Sequence, residues 1–171
     1  MSQFPTIYAG QRLTSGLLMS MMPQWALKTA STSRSATTTL ASDPDITLSV
    51  TANARYIVQG LLLFAADPTA DLKIGWTAPT NANFQWSMIG QSTAATAGSG
   101  SVITDGQDLT STSFGLGGVT SNAKTMTAQL RGYLTVGSTA GTFALQWAQS
   151  TSSATATQLL AGTSVVLTRV A

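Results

Sequence analysis

The sequence predicts an all-β protein, an antiparallel sandwich or jelly roll, preceded by a short N-terminal arm with a helix. From residue 25 onward, apolar residues recur at every second position, which is the period of a strand with one buried face. Turn-forming residues separate these runs at eight- to twelve-residue spacing, and no later segment has a helical pattern. The 171 residues, of which 43% are apolar and 8% charged, suffice for one well-packed domain.

Residues 1–24 form a separate N-terminal arm. Pro5 and Gly10 favour an extended chain at its start. Residues 11–22 then have apolar side chains at helical spacing, which predicts a short amphipathic helix that ends at Pro23. Two interpretations are open: the helix packs on its own domain, or it docks into a neighbouring subunit, a role that suits flexible methionines. The apolar face comprises Leu13, Leu17, Leu18, Met21 and Met22.

Residues 25–171 form the predicted sandwich. The strand candidates are residues 46–50, 55–66, 72–77, 84–89, 126–136, 142–148 and 164–170. Turn residues at 67–70 and 137–141 predict two hairpins, one joining 55–66 to 72–77 and the other joining 126–136 to 142–148. The nearly continuous apolar run at 55–66 indicates a central strand. Residues 91–100 are small and polar, which favours a mobile surface loop.

The sequence contains few of the residue types that carry out catalysis or bind metals. The chain has no cysteine and no histidine, which excludes cysteine zinc sites, disulfides, thiol nucleophiles and histidine-dependent triads. Its acids are six aspartates, and each pair falls where a turn is predicted, so a turn role is favoured over calcium binding or glycoside hydrolysis. These pairs are Asp43 and Asp45, Asp67 and Asp71, and Asp105 and Asp108. We therefore expect no enzyme, no catalytic residue, no metal and no cofactor.

Charge and hydropathy restrict the partners. The eight basic residues are dispersed and the net charge is only +2, so we expect no nucleic-acid binding. The longest apolar run, residues 61–66, is far shorter than the ~20 residues that span a bilayer, so we expect no membrane partner. The first residues lack the basic region of a secretory signal.

Aromatic residues divide into core candidates and one surface candidate. Trp76, Trp86 and Trp147 lie in phase with apolar neighbours, which predicts core packing, whereas Trp25 does not. Tyr133 lies on the polar side of its strand. Its predicted companions are Gln129 and Arg131 on the same strand and Gln146 on the next one. This set is either a solvent-facing surface or a subunit interface.

Three segments carry a resemblance to a known group of proteins. They are PTIYAGQRLTSGLL at residues 5–18, ADLKIGWTAP at 70–79 and GTFALQWAQSTSSATATQLLAGTSVVLTRV at 141–170. They resemble small virion proteins of actinobacterial tailed phages, which are described as minor tail, tail-fibre or head-fibre proteins. The similarity extends over most of the chain, and it is more specific for the phage group than for a position on the particle.

The resemblance implies a jelly-roll domain similar to the trimeric heads of tumour necrosis factor and complement C1q. It also implies a virion structural protein that assembles in the host cytoplasm and is displayed as a homotrimer, in a head-fibre or decoration role. The N-terminal arm would then dock on a capsid or tail protein. The anchoring candidates are Tyr8, Leu13, Leu17, Leu18, Met21 and Met22. The alternative is a minor tail or tail-fibre protein that binds a host surface glycan through residues 91–100 and an exposed aromatic.

Overall fold

The computed structural model describes residues 7–19, 21–94, 102–119 and 124–170. Strands make up 53% of it and helix 3%, which confirms the all-β prediction. No helix in these ranges is long and apolar enough to cross a membrane. The elements are α1 Ser15–Met19, β1 Gln24–Leu27, β2 Thr32–Arg34, β3 Ala41–Val50, β4 Arg55–Ala65, β5 Leu72–Thr77, β6 Asn83–Gln91, β7 Val102–Gln107, β8 Phe114–Leu116, β9 Met126–Thr135, β10 Gly141–Gln149, β11 Thr157–Leu159 and β12 Ser164–Arg169.

Two antiparallel sheets pack as a sandwich. Sheet A has the order β1-β12-β4-β9-β6-β7, and β11 pairs with both β4 and β2 at its side. Sheet B has the order β3-β10-β5-β8. Without the β6–β7 hairpin and the small β2–β11 pair, eight strands remain, ordered β1-β12-β4-β9 and β3-β10-β5-β8. This is the strand order of a jelly roll, so the predicted fold class is confirmed.

The two predicted hairpins are wrong. β4 pairs with β12 and β9 in sheet A, whereas β5 pairs with β10 and β8 in sheet B. Likewise, β9 belongs to sheet A and β10 to sheet B. Both connections are corners at which the chain crosses from one sheet to the other. Turn residues show that the chain changes direction, but they do not determine which sheet receives the next strand.

The core lies between the sheets and is rich in aromatic rings. The Trp76 ring stacks on Phe143 with a centroid distance of 4.8 Å, and Phe84 meets Phe143 edge-on at 4.9 Å. Trp76, Trp86 and Trp147 are buried, as predicted. The alternation predicted for the strand at 126–136 is also confirmed, since its inward positions lie in the core.

The N-terminal helix is shorter than predicted, because α1 covers only Ser15–Met19 of the expected residues 11–22. Thr14 begins it, with its hydroxyl accepting a hydrogen bond from the Leu17 amide at 3.3 Å. Beyond the helix, Met22 N–H bonds to the Met19 carbonyl three residues back, a tighter turn that precedes Pro23. No residue of α1 is buried, and a short helix without tertiary packing is marginal in water.

Candidate interaction surface

One side of sheet A faces away from the core, and its side chains form the surface that we call the outer face. Strand register places them in rows across the sheet. The central row is Trp25, Val166, Gln59, Arg131, Ser87 and Gly106. One flanking row is Leu27, Ser164, Leu61, Gln129, Ile89 and Thr104. The other is Thr168, Ile57, Tyr133 and Gln85.

The outer face is apolar and almost uncharged. Trp25 is 68% exposed, Ile89 47% and Tyr133 40%, and Leu27, Ile57 and Leu61 are exposed too. Arg131 is the only charged side chain in the three rows. Contiguous exposed apolar side chains with few charges are typical of protein–protein interfaces.

The structure brings together three of the four predicted interface residues. Gln129, Arg131 and Tyr133 are neighbours on the outer face. Gln146 is not part of it, because it lies half-buried on β10 of sheet B, where it pairs with Gly75. The mistake follows from the predicted hairpin, which placed β10 next to β9 in one sheet.

Sequence reasoning missed the apolar members contributed by β4. Ile57 and Leu61 alternate with the core residues Val58 and Leu62, so they point to the outer face. The signal was the nearly continuous apolar run at 55–66. Such a run is typical of a strand covered on both sides, but the chain by itself covers only the core side.

A hollow of about 670 Å³ opens on the outer face beside Arg131. Gly106 makes room for it, since a Cβ at that position would meet nothing within 4 Å. Tyr133 and Asp108 also line the hollow. Hydrogen bonds from the hydroxyl and amide of Thr110 hold the pKa of Asp108 below its usual value, so this carboxylate is ionised at neutral pH.

The predicted anchoring residues lie outside the core. Tyr8, Leu13, Leu18 and Met22 are exposed, and Leu17 and Met21 are half-buried. Met19 and Met22 reach a second hollow between Trp25 and β3, where Leu48 and Ser49 form the other wall. The described residues of the arm thus leave their apolar side chains largely open to solvent.

Asp43 and Asp45 do not lie in a turn between strands as predicted, but Asp43 Oδ1 does accept hydrogen bonds from the nearby backbone, from the amides of Asp45 at 3.0 Å and Ile46 at 3.3 Å. Both aspartates lie inside β3, where the register with β10 shifts at a bulge and Pro44 interrupts the regular pairing. Lys28, itself buried, places its Nζ 2.9 Å from Asp43 Oδ2 and 3.0 Å from Asp45 Oδ2. The pair therefore takes part in an ion cluster that links the end of β1 to sheet B.

Asp43 is the centre of this cluster. Trp147 Nε1 also donates to its Oδ2 at 3.1 Å, and the Arg34 guanidinium lies 4.1 Å from the centre of the Trp147 ring. Burial alone would raise the pKa of Asp43, but the hydrogen bonds from Lys28 and Trp147 outweigh it and hold the pKa below its ordinary value. The side chains of Lys28 and Asp43 have no exposed surface and are bonded to each other, which indicates a structural role.

The turn role is confirmed for two other aspartates. Asp67 accepts a hydrogen bond from the Thr69 amide at 2.9 Å, and Asp108 accepts one from the Thr110 amide at 2.8 Å. Asp71 accepts the Gly118 amide at 2.7 Å. Within the described residues, no three aspartates come together as they would to hold a metal ion.

Comparison with known proteins adds little to this geometry. No protein-family model matches the chain, and no curated protein does. Among solved structures, a chain from "Structure of infectious bursal disease virus Gx strain" is 10% identical, with a TM-score of 0.21. The match covers 86% of this chain and 40% of that chain. A TM-score this low supports no inference, so the fold rests on the strand order and the function on the surfaces described above.

Proposed function

We propose that this chain is a bacteriophage virion structural protein of the head-fibre or decoration type, displayed as a homotrimer. In this proposal the outer face of sheet A packs against the other two copies, and the N-terminal arm docks on a capsid or tail protein. The observation that carries the proposal is the outer face itself, with six exposed large apolar side chains and one charge in its three rows.

The size of the outer face suits a subunit contact. Six strands spaced about 4.8 Å apart make a surface about 25–30 Å wide, which is the scale of an interface that buries about 800 Å² per partner. A net charge of +2 opposes self-association only weakly. The apolar run of β4, exposed on one side in the single chain, would then be covered on both.

The arm supports the second part of the proposal. Its apolar side chains remain outside the core, as described above, so they are available to a partner on the particle. The resemblance of residues 5–18 to the start of phage virion proteins indicates the kind of partner. Capsid and tail positions share this requirement for a docking arm and a stable head.

The test is the mass of the full chain in solution, measured by light scattering after size exclusion. We expect a trimer, and we expect Ile57→Lys with Leu61→Lys to give a folded monomer, because two ammonium groups would have to be buried in the contact. Thr142→Lys, on an exposed position of β10 in sheet B, is the matched control and should remain trimeric.

A folded, monomeric wild-type chain would contradict self-association through the outer face. It would then favour the alternative, a tail protein that binds a host glycan. The hollow beside Arg131 has the required character, because Tyr133 offers a ring for stacking and Gln85 offers amide groups for sugar hydroxyls. Glycan binding by a monomer that Tyr133→Ala abolishes would establish that alternative.

A further inference from the structure

Arg131 forms no ion pair within the described residues, although Asp108 of the same chain lines the same hollow. It lies in the central row of the outer face, between Gln59 and Ser87. Within the described residues, no carboxylate oxygen lies within 4.0 Å of its guanidinium, and the ion pairs found there belong to Lys28. An arginine that becomes buried in a subunit contact needs an opposite charge, because an unpaired buried charge is strongly unfavourable.

The chain itself restricts where that charge can come from. It contains six aspartates and no glutamate. Asp43 and Asp45 are bound by Lys28. Asp67 and Asp71 lie at the corner between β4 and β5, where the chain leaves sheet A for sheet B, and they belong to none of the three rows of the outer face. Asp105 and Asp108, at the free β7 edge of sheet A, are the remaining candidates.

Strand register separates these last two aspartates. Asp105 pairs with Met88, whose side chain points into the core, so Asp105 projects to the side of β7 opposite the outer face. Asp108 follows β7 and lines the hollow on the outer face. The turn that it forms with Thr110 and Ser111 orients its carboxylate.

We propose that Arg131 of one subunit pairs with Asp108 of the neighbouring copy. The hollow beside Arg131 provides the space that the neighbour's turn after β7 would occupy. Arg131 and Asp108 line the same hollow. Around a three-fold axis, Arg131 of each copy would meet Asp108 of the next, which is a head-to-tail contact, and three such contacts close a ring. This inference rests on the proposed self-association and adds its direction and its charged pair.

The experiment uses charge reversal and mixing of full-length chains. Arg131→Asp places two carboxylates together at each contact, and Asp108→Lys places two cations together. We expect either variant alone to weaken assembly by about tenfold or more. When the two variants are mixed, a contact between unlike chains restores an opposite-charge pair. In a mixed ring of three, two of the three contacts join unlike chains and one joins like chains, so we expect mixed dimers and trimers, detected by native mass spectrometry, to exceed the assemblies of either variant alone.

Control variants distinguish an effect of charge on assembly from an effect on folding. Asp108→Lys also removes the hydrogen bonds from Thr110. A double-mutant cycle with the uncharged substitutions Asp108→Asn and Arg131→Gln therefore repeats the measurement, because the asparagine oxygen can still accept those bonds. Asp105→Lys makes the same charge change on β7 but on the other side, and it should leave assembly unchanged. In the cycle we expect the two substitutions together to weaken the free energy of assembly by less than the sum of their separate effects.

The outcomes distinguish this proposal from the one it rests on. A monomeric wild-type chain would contradict both the proposed self-association and the proposed Arg131–Asp108 pair. An assembled wild-type chain whose Asp108 variants assemble normally would overturn only the pair, and would indicate that a solvent anion or another group accompanies Arg131. Variants that fail alone and fail when mixed would also overturn it, because a pair within one chain cannot be rescued by a second chain.

Discussion

Lys28 shows how one buried residue can join two sheets. Its side chain leaves the end of β1 and reaches Asp43 and Asp45 on β3. A lysine with no exposed surface requires paired carboxylates, because the desolvation of an unpaired ammonium group is too costly. Trp147 supplies a further bond to Asp43, so the carboxylate has partners from both sheets.

Lys28→Met should reduce the free energy of unfolding by about 3–5 kcal/mol, because it leaves two carboxylates near the core without their cation. Denaturant unfolding of the purified chain measures this value. Lys124→Met, at an exposed position, is the control and should change stability by less than about 0.5 kcal/mol. Equal effects of the two substitutions would show that the cluster contributes nothing to stability.

Gly132 is one of the positions at which the packing of the sandwich leaves no room for a side chain. Gly132 lies on β9 opposite Trp86 of β6. A Cβ at this position would lie 2.4 Å from Cε2 of the Phe84 ring, which crosses β9 there. The missing side chain therefore allows the ring to take its place in the aromatic core.

Gly132→Ala should destabilise the fold by about 1–3 kcal/mol, because the Phe84 ring must move within a packed core. Gly106→Ala is the matched control in the same sheet, since its Cβ enters open space, and it should be close to neutral. Thermal or denaturant unfolding measures both variants. Adding Phe84→Leu should cost less in the Gly132→Ala chain than in the wild type, and strict additivity would contradict the proposed clash.

At the scale of the whole molecule, we expect the sandwich to account for the stability of the fold and the arm to account for the proposed docking. Deleting residues 1–22 should leave the free energy of unfolding within about 1 kcal/mol of the full chain, because no described residue of this segment is buried. Under the proposed function, the same deletion should prevent incorporation into virions, because it removes the side chains proposed to dock.

Quantitative mass spectrometry of purified particles measures that incorporation against the major capsid protein. A full-length chain with Leu13→Ser, Leu17→Ser and Met21→Ser retains the arm but loses apolar contacts, and it should load poorly as well. Normal loading of the truncated chain would show that the sandwich, and not the arm, carries the attachment site.

Strands and their buried faces were predicted better than the pairing of strands, and the reason is physical. Period-two alternation is local, so strands such as β6 and β9, and the burial of Trp86, were readable from the sequence. The partner of a strand is not local. The turn chemistry around Asp67 was predicted correctly, but the strand that follows it crosses to the opposite sheet.

The sequence by itself determined the all-β class, the core face of most strands, the absence of histidine and cysteine chemistry, and the polar trio on β9. Only the tertiary structure decided which sheet each strand joins, and hence that Gln146 lies away from Tyr133 and that Ile57 lies beside it. It also revealed the Lys28 cluster, whose members are far apart in sequence. Side-chain alternation follows from the geometry of one strand, whereas strand pairing and charge pairing depend on which distant segments the packed core brings together.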